Sequence, residues 1–156
     1  MPKKTTTYLI HKYRAMNLFD FFRSKKAGKE AEKQVSLSEK DLRWNRFIEE
    51  ICVNGELSSL SGKQRIAALC FWYDTEMMNG GFCQYQDSYP DTDPNELKEA
   101  LATVGNEEIV RNYCKALEEG EQDDWVETDA EYGSFSPTLC ELLQEYVEKN
   151  KDEIFQ

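Results

Sequence analysis

Thirty carboxylates and a single histidine divide the chemical repertoire of this 156-residue chain unevenly. The histidine, His11, sits in the basic opening segment "MPKKTTTYLIHKYRA". Serine–histidine and cysteine–histidine nucleophile pairs and the usual zinc sites therefore lack their imidazole. No phosphate-loop, calcium-loop or metalloprotease pattern is present, so no cofactor or metal is expected. Carboxylates gather in two places instead. In the first, Asp74, Glu76, Gln84 and Tyr85 surround a glycine corner in "EMMNGGFCQYQ", residues 76–86. A tight turn there brings polar groups near exposed N–H donors, an arrangement that a hydrolase or transferase can use. The simpler reading has Asn79 and Gln84 satisfying carbonyls orphaned at a helix end. In the second, Glu118, Glu119, Glu121, Asp123, Asp124, Glu127, Asp129 and Glu131 follow one another without a Lys or Arg. Such a run reads as a solvated surface or as one offered to a cationic partner. Trp125 and Tyr132 within it either contact that partner or pin the segment to the core.

These groups must be carried by helices, because apolar residues recur at helical spacing almost throughout. Ser38 with Asp41 reads as a capping box, followed by Leu42, Phe47, Ile48 and Ile51 up to a stop at Asn54-Gly55. Ser61 can cap a second helix whose Ile66, Leu69, Cys70, Tyr73 and Met77 share a face, widened by Ala67, Phe71 and Trp72. That nearly all-round apolarity makes it the buried centre. It closes at Asn79-Gly80, where the left-handed conformation is tolerated, and Gly81 lets Phe82 and Tyr85 return on a short helical turn. Asp93-Pro94 opens a helix ending at Gly105, and Asn106 caps the next, giving a hairpin with almost no loop. Ser136-Pro137 opens the last helix, with Leu139, Cys140, Leu142, Leu143, Tyr146 and Val147 inward. No sustained alternation supports a sheet, although "WVETDAEY" is open to a short irregular strand. The expected fold is all-α, a single bundle of about five or six helices.

Charge separates the chain into two parts. Residues 1–33 hold nine Lys or Arg against three Asp or Glu, about +6, and residues 34–156 hold ten against twenty-seven, about −17. The first part reads as a mobile basic tail and linker, the second as the acidic helical domain. Met16 looks like a fresh start, so residues 1–15 read as a start-site extension. Phe19, Phe21 and Phe22 beside Arg23, Lys25 and Lys26 can form a short membrane anchor, but so short a segment binds marginally. An acidic body repels nucleic acid and anionic lipid, which excludes direct DNA or RNA binding by that body. No apolar run approaches the roughly 20 residues of a membrane span, and Met1–Ala15 lacks a signal peptide's apolar region. Cys52, Cys70, Cys83, Cys114 and Cys140 are odd in number, contain no C-x-x-C pair and lie in apolar stretches. They read as reduced core residues of a cytoplasmic protein.

The run from "AALCFWYDTEMMNGGFCQY" through "LKEALATVGNEEIVRNYCKALEEG" resembles a bacterial family that includes DNA-mimic proteins. The likeness rests on Glu76 and on the corner Asn79, Gly80, Gly81, Phe82, Gln84 and Tyr85, and spans roughly residues 40–120. Gln86, Asp87, Ser88 and Tyr89 depart from the aromatic and Asn/Ser-rich continuation usual there. The resemblance implies an all-helical protein able to form a homodimer. It also implies a non-enzymatic regulator whose carboxylates stand where DNA has phosphates, and whose partner is a basic DNA-binding protein. The acidic run Glu118–Glu131 is the expected contact surface. The competing expectation remains an enzyme centred on Asp74, Glu76 and Tyr85.

Overall fold

The computed structural model describes residues 36–60 and 62–156. The basic tail over 1–33, with its Phe19, Phe21 and Phe22 anchor, lies outside the described residues, as does Ser61 as a helix cap. Every regular element described is helical, and no helix among the described residues is long and apolar enough to cross a membrane. The chain divides at Gly55 into two units.

In the first unit, Ser38 opens α1 (Glu39–Arg46) with the expected capping box. Its hydroxyl accepts the Asp41 N–H at 3.2 Å, while the Asp41 carboxylate accepts the Ser38 N–H at 3.1 Å. Leu42, expected inside, is 54% exposed, and Trp44 is buried and stacked on Phe47. Trp44, Phe47, Ile48 and Ile51 form the i, i+3, i+4, i+7 stripe, which leaves Leu42 two positions away on the opposite side. The helix widens into a π-helix over Phe47–Val53. Asn54 ends it by donating both its backbone N–H and its side-chain amide to the Glu49 carbonyl, at 3.2 and 2.6 Å.

The second unit begins with a 3-10 turn, Leu57–Ser59, followed by α2 (Gly62–Ser88). The first arm of α2 buries Ala67, Leu69, Cys70, Phe71, Tyr73 and Met77, as its all-round apolarity predicts. The helix breaks at Gly81, where φ is 76° and ψ −168°, and then resumes. Then come α3 (Pro94–Val104) and α4 (Glu107–Glu119). Their caps are those the sequence predicts: Asp93 accepts the Asn95 N–H at 2.8 Å and Asn106 accepts the Ile109 N–H at 3.0 Å. "WVETDAEY" is helical rather than extended, contributing α5 (Val126–Tyr132). α6 (Leu139–Lys149) starts later than Ser136-Pro137 would place it, because Thr138 and Glu141 make the capping box, and α7 (Lys151–Ile154) closes the chain. The seven α-helices among the described residues exceed the expected five or six because α5 and α7 are only one or two turns long.

Tyr73 lies at the centre of this unit, fully buried. Tyr85, Tyr113 and Tyr132 meet its ring edge-on, with centroids 4.9, 5.5 and 5.7 Å away. Aromatic quadrupoles favour that geometry. α2 packs against α3, α6, α5 and α7, and α4 against α3 and α5. Two polar ties reinforce the packing. The Lys63 ammonium donates to Asn150 at 2.7 Å and to Glu153 at 2.5 Å. The Arg65 guanidinium forks onto both Glu96 carboxylate oxygens and also reaches the Leu57 carbonyl at 2.6 Å.

Two measurements follow. Gly81 occupies a left-handed backbone position, and a Cβ there would stand 1.9 Å from the Asp129 carboxylate. At Gly80 φ is not left-handed, and the added Cβ would meet chiefly the far end of Gln84. Gly81→Ala should therefore cost about 2 kcal/mol or more and Gly80→Ala less, in urea unfolding; equal losses would refute the corner geometry. The Arg65 hydrogen bonds hold the Glu96 carboxyl below its ordinary pKa. Its stabilisation is then fully present above the unfolded carboxyl's pKa and lost as pH falls through the lower folded value. The stability deficit of Glu96→Gln should be constant near neutrality and shrink on the acid side.

Candidate functional site

The acidic run is built around one indole. α4 ends at Glu119, Gly120–Gln122 make a 3-10 turn, and Asp124 and Trp125 both take left-handed backbone angles, φ 58° and 59°. Two successive left-handed residues without glycine carry a steric cost of about 1–2 kcal/mol each, so neighbouring contacts must hold them. Trp125 supplies those contacts. Its backbone N–H donates to the Gly120 carbonyl at 2.7 Å, and its indole N–H to the Ala116 carbonyl at 2.9 Å. Its ring stacks on Phe82 with centroids 5.8 Å apart. A Cβ at Gly120 would lie 2.0 Å from the indole, so glycine is what lets the ring in. Thr128 donates to the Trp125 carbonyl at 3.2 Å, and Asp123 accepts the Glu127 N–H at 2.9 Å, starting α5. Of the two readings of Trp125 and Tyr132, both residues follow the anchoring one. Tyr132 is buried and donates its hydroxyl to Asp74 at 2.7 Å.

The eight carboxylates of the run separate by role. Asp129 reaches back to the corner and accepts the Phe82 N–H at 3.0 Å. It thus caps the second arm of α2 from another helix, and burial pushes its pKa up against that hydrogen bond. Glu127 pairs with Lys115 at 2.8 Å. Glu131 accepts from Asn112 at 2.8 Å, and the same amide donates to the Thr128 carbonyl at 2.9 Å. Glu118, Glu119, Glu121 and Asp124 point outward, exposed and without an ion pair among the described residues. Cations are not absent from the neighbourhood. Lys98, Arg111 and Lys115 share a shallow depression of about 490 Å³ with Glu118, Glu119 and Glu131. The α4 flank is thus mixed in charge, and among the described residues the unopposed negative surface narrows to the tip of the loop.

At the glycine corner the residues named for catalysis are each engaged in a hydrogen bond. Asp74 and Glu76 are each 4% exposed. Tyr132 donates to Asp74, and Gln84 donates to Glu76 instead of to a helix-end carbonyl. Tyr85 is buried, and burial raises its phenol pKa, partly offset by a hydrogen bond with Thr92. A phenol shifted upward stays protonated at neutral pH and is a poor base. Cys83, read as core, is instead exposed, while Cys52 and Cys70 are buried. Among the described residues no three His, Cys, Asp or Glu side chains come together in a metal-binding group. Asn112, 1% exposed, is the structural residue that sequence reasoning missed. Its signal was its place in the apolar stripe Ile109, Asn112, Tyr113 and Ala116.

The division between inward and outward carboxylates is open to measurement. Asp129→Ala removes the cap on Phe82 and should destabilise the fold by about 1–2 kcal/mol, whereas Glu121→Ala should stay within about 0.5 kcal/mol. Chemical denaturation of both variants decides it, and equal effects would contradict the assignment.

With the geometry in place, comparison with known families gives one result. Residues 58–155 match the model of the DMP19-like protein family, a span that contains both the glycine corner and the acidic loop. No match is found among curated proteins or among solved structures. The chain belongs to the DMP19-like protein family.

Proposed function

We propose that this chain is a non-enzymatic, cytoplasmic protein-binding module and a DNA-mimic regulator, using its acidic loop to occupy the DNA-binding surface of a basic protein. The observation that carries the reading is the pinned loop Gly120–Trp125, whose left-handed backbone and buried indole hold Glu121 and Asp124 outward before any partner arrives. Backbone strain concentrates at binding and switch segments, where it is maintained by surrounding contacts. Fixed charges bind with less ordering cost than charges on a mobile tail. The family match supports the same reading.

The partner's chemistry follows from the loop. Carboxylates without local counter-ions attract lysine and arginine, and attraction between exposed groups is screened over about 8–10 Å at physiological salt. Association should therefore be fast and salt-sensitive, as for proteins that contact phosphates.

The test is capture of cellular proteins on the immobilised full chain, with excess duplex DNA as competitor. A captured DNA-binding protein should be released by DNA. Changing Glu118, Glu121 and Asp124 to Lys together should weaken its capture by about tenfold or more, while Asp129 is left alone because it holds the fold. Capture that survives both treatments at unchanged strength would end the mimic reading.

A further inference from the structure

Beside the acidic loop runs a second feature that the DNA-mimic reading does not use. A groove of about 290 Å³ lies between the end of α2, the connection to α3 and the C-terminal half of α4. Tyr85, Tyr89, Pro90, Pro94, Tyr113 and Leu117 wall it, and every described residue lining it is uncharged. Leu117, at its edge, is 43% exposed, unlike the buried residues of the α4 stripe. The wall is preformed, because Tyr89 stacks on both Trp72 and Tyr85 at 5.7 and 5.8 Å.

The surroundings of the groove state what fits it. Asp87, Asp91 and Asp93, each next in sequence to a lining residue, are all exposed. Burial first, then Tyr85, Cys114 and the nearby Asp93 carboxylate raise the pKa of the Tyr113 phenol, which places Asp93 close to the groove floor. The volume sits at the bottom of the range of about 300–1,000 Å³ typical of small-molecule sites, room for one extended side chain. Apolar walls beside three exposed aspartates complement a side chain with an aliphatic stem and a cationic head.

We propose that this groove receives one arginine or lysine side chain from the DNA-contacting face of the partner. The stem lies along Tyr85, Tyr89 and Leu117, and the head lies by Asp87, Asp91 and Asp93. This rests on the DNA-mimic reading and adds to it an anchor that DNA does not offer. A phosphate backbone presents charge alone. The groove also buries the stem, which gives a part of the affinity that salt does not screen.

The probe is a fluorescein-labelled deca-arginine peptide, with deca-citrulline as the uncharged control, titrated against the full chain by anisotropy. Leu117→Arg is compared with Val126→Arg, the same change of charge at a position 67% exposed and outside the groove lining. Leu117→Arg should weaken peptide binding by about tenfold and Val126→Arg by less than about threefold, as expected when an anchor pocket rather than net charge dominates. Asp91→Asn against Asp152→Asn forms a second pair that removes no apolar contact, so it remains readable should Leu117→Arg fail to fold. Asp91→Asn should be the weaker binder. Equal losses within both pairs, or equal binding of arginine and citrulline peptides, overturn the groove while leaving the DNA-displacement result for the loop untouched. Groove-selective losses support it even where DNA fails to release a cellular partner, an outcome that would remove the mimic reading alone.

Discussion

The carboxylate of Asp129 against the backbone of Gly81 and Phe82 is the contact on which the second unit depends. A 27-residue helical element that bends in the middle must leave backbone groups without partners at the bend. Gly81 supplies the left-handed turn, and the missing Cβ leaves room for a carboxylate on the Cα. Asp129 fills that room and accepts the first exposed N–H of the second arm. A cap is normally the residue just before its helix; here it arrives from α5, 47 residues further on. The bend and the acidic loop are consequently one structure, since the residue that holds the bend belongs to the acidic run.

The same coupling extends through the core. Phe82, the residue whose N–H is capped, carries the ring on which Trp125 stacks, and Trp125 holds the left-handed turn of the loop. Tyr132, at the end of α5, crosses to Asp74 on the first arm of α2 and also meets the central Tyr73 edge-on. Four tyrosines and two buried carboxylates make this an unusually polar core. Burying such groups is costly unless they find one another, and Asp74 with Tyr132 and Glu76 with Gln84 do so. The cost of an unmatched partner gives these pairs their specificity: sliding α5 by one turn would strand Asp74 and uncap Phe82 together.

Electrostatics is sorted by the same contacts. A run of eight acids looks uniform as text, but three-dimensional neighbours assign Asp129 and Asp123 to capping, Glu127 to Lys115 and Glu131 to Asn112. What is left facing outward is a short negative tip flanked by an aromatic groove. A few fixed charges beside an apolar slot recognise a cationic side chain more selectively than a wide, even negative field, because the field attracts any cation while the slot rewards shape as well.

Helices and their ends were largely legible in the chain, since they depend on neighbours three or four residues apart. The capping box at Ser38, the Asp93-Pro94 start and the Asn106 cap all follow from local chemistry, whereas the left-handed turn expected at Asn79-Gly80 lies at Gly81. Leu42 was expected inside, although the stripe through Phe47, Ile48 and Ile51 selects Trp44 in its place. α5 resisted reading because its seven residues carry little apolar periodicity and are held by Trp125 and Asp123. The sequence by itself determined an all-helical, acidic chain with a corner within Asn79-Gly80-Gly81. Only the tertiary structure decided which carboxylates are engaged inside and which remain for a partner, because pairing across 12 to 58 residues is set by how helices pack, and no local pattern records it.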